Sequence, residues 1–296
     1  AVGRRGFSLH PGGIDGECVC LRFYPITFKI LLSLAPRIVR VMVLHRARNG
    51  IHGMAVFLNL LLIAAGSFLT SQAWSFGDLG HRTVGAIADA QLTSETRAAV
   101  GSLLPSGESL ATVAAWPDEV KRAKKNLGPL AHDAEAQRFN EDFHDNREWH
   151  YVDLPLDTTA SMEGAVGRRR NDIGQTIKRC IRDIESKTVP HHEMTRAQAL
   201  RWLVHLLGDL HQPLHLGSGY YWFDAHGQAH LITDPQEAAG KDEDRGGTLL
   251  FYTAEDHLHA FWDDRLVSAV AKGRAYREVA QDLLAQGHQQ VWDGHG

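Results

Sequence analysis

Two His-x-x-x-Asp steps carry chemistry in this sequence: His205 with Asp209 in LVHLLGDLHQPLH, and His259 with Asp263 in HLHAFWD. Residues four apart on a helix share a face, so each step sets an imidazole beside a carboxylate. Burying either group is costly unless something pairs with it, and both steps sit among apolar residues (Leu206, Leu207; Phe261, Trp262). One such step reads most simply as a helix-surface hydrogen bond. Two of them, with His215 just past Pro213, resemble the inward-facing sets from which α bundles build metal sites. His81 in GDLGHR, Asp118 in AAWPDEV and His150 in EWHYVD come from three further segments in apolar settings. Each alone reads more simply as a satisfied structural residue. Together, five histidines and three aspartates are too many for one tetrahedral ion. With shared carboxylates they suit two or three. Imidazole and carboxylate donors without thiolate suit hydrolytic zinc rather than closed structural zinc. His132, His144, His191, His192, His211, His226, His230 and His257 fit no such spacing and read as supporting or surface residues.

The elements that must hold these groups follow from pattern. The chain has 296 residues, 44% hydrophobic and 22% charged, which allows one or two domains with a normal core. Its formal net charge of −4 offers no basic patch for nucleic acid, although bound cations can supply positive charge. Residues 1–41 read as a doubtful N-terminal extension. Residues 42–75 have the anatomy of a secretory signal peptide: a basic start, an apolar run from Ala55 to Leu69, then small residues. The run is shorter than the ~20 apolar residues of a membrane span. Cleavage after Ala73 or Ser75 fits the small-x-small rule, and the domain is then 76–296. Of Cys18, Cys20 and Cys180, only Cys180 lies in that part, so neither an intrachain disulfide nor a thiolate metal site is expected there.

Within the domain, 82–130 reads as helical, with Thr93 as a cap and Ser109 as a break. Residues 128–165 read as polar and irregular, with an extended piece at WHYVDLPL. Residues 168–187 read as a charged amphipathic helix. Thr195 and Gln198 form a capping box for the next helix, whose apolar stripe is Leu200, Leu203, Val204, Leu207 and Leu210. Residues 217–252 read as a loop with a small hairpin, and two more helices follow. The expected class is all-α (mainly α), with a small β-hairpin insertion.

The motifs GDLGHRTVGAIA, WPDEV, WHYVDLP, ALRWLVHLLGDLHQPLH, DRGGT and HLHAFWD, in that order from about 74 to 265, resemble the secreted zinc-dependent single-strand-specific nucleases of the mung-bean and mould type. That family includes 3′-nucleotidases and neighbours the bacterial zinc phospholipase C. The resemblance implies a multi-helix phospholipase C/nuclease-like fold holding three zinc ions. One site would be Asp118, His150, His205 and Asp209. A second would take His81, a shared Asp209, and the backbone amino and carbonyl groups of the first mature residue. The third would be His215, His259 and Asp263. Tyr151 and Asp153 match positions that stack on and hydrogen-bond a nucleobase. Lys121 stands where the family often has a basic residue facing phosphate, so Asp118, Asp209 and Lys121 are the implied catalytic groups. The implied chemistry is in-line attack of an activated water on phosphorus, leaving a 5′-phosphate. Single-stranded DNA, RNA and 3′-nucleotides would be the substrates of a secreted or periplasmic monomer with no stable membrane association once the signal is removed.

There are departures. The family's first mature residue is usually Trp, five positions before the first zinc histidine. Here Trp74 is seven before His81 and Phe76 is five before it, so either could be the N-terminal ligand. The family also continues for one or two helices beyond VWDGHG, which implies a C-terminally incomplete domain. Lacking disulfide cysteines fits the family's bacterial branch. The alternatives are a zinc phospholipase C-like lipid phosphodiesterase, or an inactive metal-binding remnant.

Overall fold

The computed structural model describes residues 77–158, 164–186 and 193–290, and these are mostly helical. Trp74, Phe76, His191, His192 and both leader segments lie outside the described residues. Helix α1 (Gly77–Gln91) opens the domain and buries His81, Thr83 and Gly85. It begins five residues before the expected start, inside the glycine-rich GDLG. Helix α2 (Ser94–Leu103) is capped as expected: the Thr96 N–H donates to Thr93 Oγ1 at 3.2 Å. Short α3 (Leu110–Val113) has a Ser109–Thr112 capping box, and α4 (Trp116–Ala123) starts with Pro117 in its first turn. Pro at a helix start removes an N–H that would be unsatisfied anyway.

The segment expected to be irregular contains α5 (Ala134–Asp142), capped by Asp133, and a 3₁₀ turn at Asn146–His150. The polar surface of α5 masked its inner face. Ala136 and Phe139 are buried against Phe143, Trp149 and Trp202, so tertiary packing rather than propensity decides the element. Helix α6 (Ile173–Glu185), capped by Asp172, packs on α7 (Arg196–Asp209). In α7 both bonds of the Thr195–Gln198 capping box form. Its apolar stripe differs in one place: Leu207 is 39% exposed while Leu206 is fully buried. Leu200 and Val204 enter one apolar cluster with Leu104, Leu110 and Val113; Trp202 and Leu206 enter the main one with Phe139, Trp149, Ile173 and Met194. Helix α7 is therefore the central rod, buried on more than one side.

The β content is small. β1 (Leu154–Pro155) pairs in parallel with β2 (Gly217–Ser218), Leu154 opposite Gly217. β3 (Tyr220–Phe223) forms an antiparallel hairpin with β4 (Ala229–Leu231), Trp222 opposite His230. A third strand, β5 (Asp242–Glu243), joins the other edge of β3. Its acidic sequence gives no strand signal, so the reading of a simple hairpin missed it. The last described residues form α8 (Leu258–Ala260), a π-helical turn (Phe261–Leu266), α9 (Val267–Ala271) and α10 (Tyr276–Gln290). Among the described residues no helix is long and apolar enough to cross a membrane.

Candidate metal centre

Asp209 ends α7 with no exposed surface. Four imidazoles converge on it. His150 Nδ1 and His205 Nε2 lie 2.9 and 3.1 Å from Oδ2; His81 Nε2 and His215 Nδ1 lie 3.4 and 3.1 Å from Oδ1. Asp118, from α4, brings its Oδ1 to 3.9 Å from both His150 Nδ1 and His205 Nε2. Three sets of donor atoms each fall within 4.8 Å: Asp118, His150 and His205; His81, His205 and Asp209; and His215, His259 and Asp263. In the last, Asp263 Oδ2 is 3.1 Å from His259 Nε2, and the His215 and His259 rings stack at 4.9 Å. All eight side chains proposed as ligands from sequence thus come together. The structure adds His205 to the His81–Asp209 group.

Donors about 2.1 Å from a tetrahedral ion stand about 3.4 Å from one another, and the separations above bracket that value. His150 Nε2 is buried with no hydrogen-bond partner among the described residues. Nitrogen lone pairs crowded against carboxylate oxygens without an aqueous surface are what a cation would relieve.

The scaffold turns the right nitrogens inward. His205 Nδ1–H donates to Ala114 O at 2.7 Å, leaving Nε2 for the centre; His259 Nδ1–H donates to Gly246 O at 2.8 Å, leaving Nε2 for Asp263. Such outer bonds fix tautomer and ring orientation. Both depend on glycines. A Cβ on Gly85 would meet Ala111 Cα at 2.6 Å, so this glycine lets α1 touch α3 and bring Ala114 to His205. Gly246 has φ +59, and a Cβ there would run into Leu214 O at 2.2 Å. Behind the centre Trp202 packs 5.1 Å from the His150 ring and 6.2 Å from the His205 ring.

Charge states follow from the same geometry. Burial would raise the Asp209 carboxyl, but His205 and His215 hold it well below the usual carboxylate range. Asp118 is likewise lowered despite its burial, by Lys121 and then His205. Burial, reinforced by Lys121, pushes His150 down to about 3. The carboxylates are ionised and His150 neutral, the forms that bind a cation.

Lys121 Nζ sits 2.6 Å from Asp118 Oδ1 at the rim. Asp153 is buried, and its carboxylate accepts from Ser218 Oγ at 2.9 Å and Arg169 at 3.0 Å. Tyr151 is half-buried, with its hydroxyl 3.2 Å from Arg169 Nη1 and its ring 5.3 Å from the Arg169 guanidinium. His211 is exposed, donating from Nδ1 to Leu207 O, outside the cluster.

Sequence reasoning passed over Arg169, Ser218 and Gln212. Gln212 is buried, donates from Nε2 to Asp263 Oδ1 at 2.8 Å and accepts from Leu214 N at 2.5 Å. It holds the third group's carboxylate and the turn carrying His215. Gln212→Glu keeps the shape but sets a second carboxylate against Asp263. Metal binding at His215, His259 and Asp263 should weaken about 10- to 100-fold, measured as the loss of one ion per chain by elemental analysis after dialysis. Unchanged metal content would refute this role.

Residues 76–293 match the sequence model of a family described as S1/P1 Nuclease. The chain is 29% identical over 207 residues to Endonuclease 3 and 28% over 208 residues to Endonuclease 4, both of Arabidopsis thaliana. These alignments cover 68% and 69% of this chain, and it spans 58% and 59% of the two relatives' lengths. Similarity to Nuclease S1 of Aspergillus oryzae is 29% over 234 residues, covering 77% of this chain and 68% of that protein.

Proposed function

Because the chain belongs to the S1/P1 nuclease family, we propose that it is a zinc-dependent phosphodiesterase that cleaves single-stranded DNA and RNA and removes the phosphate of 3′-nucleotides. The observation that carries this reading is the convergence of four imidazoles on the Asp209 carboxylate, with a second His–His–Asp group beside it. The donors are imidazole nitrogen and carboxylate oxygen, which suit zinc. Asp118, His150, His205 and Asp209 would hold one ion; His81 and Asp209 a second, completed by backbone groups of Phe76 or Trp74; His215, His259 and Asp263 a third. Bound there, zinc would supply Lewis acidity, activating water near neutral pH and polarising a phosphoryl oxygen.

The chain's own groups do the rest. Asp209 keeps the two histidine sets in register and supplies the charge that offsets bound cations. Ala114 O and Gly246 O fix the rings of His205 and His259, so the reacting groups need not reorganise during turnover. Lys121 can leave Asp118 for a substrate phosphate. Tyr151 offers an aromatic face, and Asp153, steadied by Ser218 and Arg169, offers an acceptor for a base N–H. Only an unpaired base can reach such a platform, which is the physical source of single-strand preference. Export by the segment 42–75 is part of the proposal.

The test is hydrolysis of single-stranded DNA, RNA, duplex DNA, 3′-AMP and phosphatidylcholine by the zinc-loaded protein starting at Phe76. Single strands should be cut with 5′-phosphate ends, and duplex far more slowly. Lipid cleavage without nucleic-acid cleavage would overturn the reading in favour of a phospholipase C-like enzyme. Tightly bound zinc with no turnover would leave a metal-binding protein.

A further inference from the structure

The β3–β4 hairpin carries aromatic surface that neither the core nor the metal centre uses. Trp222 is 45% exposed and Phe223 55% exposed. The buried cluster under the hairpin consists of Tyr220, Ile232 and Ala238, with Val166 against it, and leaves Trp222 out. Yet Trp222 is held in a defined pose. Its ring stacks on the cross-strand His230 ring at 4.3 Å and 15°. His230 Nε2 is in turn tied to Asp224 Oδ2 at 3.1 Å. One face of the indole is thus backed by an imidazole, and much of its surface stays open.

The strand relates this ring to Asp153. Tyr220 is buried, and its hydroxyl donates to Asp153 O at 2.8 Å. Side chains two apart on a strand share a face, so Trp222 follows Tyr220 on the same side of β3. Its Cα lies about 7 Å further along. Tyr220 thus ties the hairpin that carries Trp222 to the segment that carries Tyr151 and Asp153.

We propose that Trp222 is a second nucleobase subsite, stacking a base that neighbours the one at Tyr151 and Asp153 in a single-stranded substrate. This rests on the nuclease reading above. The subsite works by stacking, not by phosphate contact. Asp224 flanks it, and Asp242 and Glu243 pair with Tyr221 and Tyr220 from β5, so the hairpin is acidic. Stacking is tolerant of base identity and, unlike phosphate binding, releases few counterions.

The experiment compares wild type, Trp222→Ala and Trp222→Phe in the zinc-loaded protein. Substrates are a short single-stranded oligonucleotide and 3′-AMP, which has one base. Binding of a fluorescent phosphorothioate oligonucleotide is followed separately by anisotropy at two salt concentrations. Trp222→Ala should raise KM and Kd for the oligonucleotide about tenfold, leave kcat and all 3′-AMP constants unchanged, and keep the same fold-change at both salts. Trp222→Phe should recover most of the loss. An unchanged oligonucleotide KM, or an equal rise for 3′-AMP, overturns the subsite. So does a change in oligomeric state of Trp222→Ala by sedimentation, which would make this face a contact between copies. If the wild type cleaves neither substrate, the nuclease reading has failed, not the subsite alone.

Discussion

Asp209→Asn should cost at least three orders of magnitude in kcat/KM on single-stranded DNA, about 4 kcal/mol of transition-state stabilisation, and strip the metal from the shared centre. The substitution keeps the shape of the side chain and removes its charge. Among the described residues only this carboxylate lies within 3.4 Å of four imidazoles. An amide has one acceptor where the carboxylate has two, and its NH₂ would face ring nitrogens that the outer bonds have already aimed inward. With both ion sites weakened together, loss of turnover and loss of metal should coincide. Elemental analysis and steady-state kinetics on one preparation check this. His211→Ala is the control. That ring is exposed and bonds only to Leu207 O among its described partners, so its loss should leave metal content and rate near wild type. If Asp209→Asn kept full turnover, Asp209 would not bridge the centre.

What the sequence made legible is tied to how local each signal is. The caps at Thr93 and Thr195 were readable because a cap and the N–H groups it serves are at most three residues apart. The eight candidate ligand side chains were readable because imidazole and carboxylate are costly among leucines and tryptophans, and because His205–Asp209 and His259–Asp263 repeat one helical step. Even that step held for partly different reasons. Between His259 and Asp263 the helix passes into a π turn at Phe261–Leu266, yet the two donor atoms still meet at 3.1 Å. Single-turn π bulges inside helices concentrate at functional sites, and nothing in the spacing signalled this one.

Long-range partners left no trace in the pattern. Gln212 meets Asp263 across 51 residues, Ser218 meets Asp153 across 65, and Arg201 meets Glu135 across 66. No periodicity encodes such pairs. Helix α5 was hidden for a related reason: Phe139 packs against Trp149 and Trp202, and without them its sequence is mostly polar. β5 owes its strand pairing to the neighbouring β3, not to its own acidic residues.

Removing the metal should lower the melting temperature by about 20 °C or more, and zinc should restore it. An ion at a thousand times its Kd contributes about 4 kcal/mol, and a domain of this size shifts about 2–4 °C per kcal/mol, so two tightly held ions suffice. The structure also predicts an order of loss. His81, His150, His205 and Asp209 have side chains no more than 3% exposed and Asp118 11%, whereas the His259 side chain is 18% exposed. The His215–His259–Asp263 group is the one a chelator reaches first. Metal should therefore leave in two phases as chelator is added, with activity falling in the first and the melting temperature mainly in the second. The second phase removes ions from the end of α7, where burial lowers the proton affinity of His205 and His215 but Asp209 and its neighbours outweigh it and raise it, so that Asp209 must then be neutralised by protonated imidazoles alone. That substitute pairs charges but cannot hold Asp118 and His81 against the same point. If calorimetry and metal content instead showed a single concerted step, or if the melting temperature did not move, the two groups would not be the separable sites their burial implies.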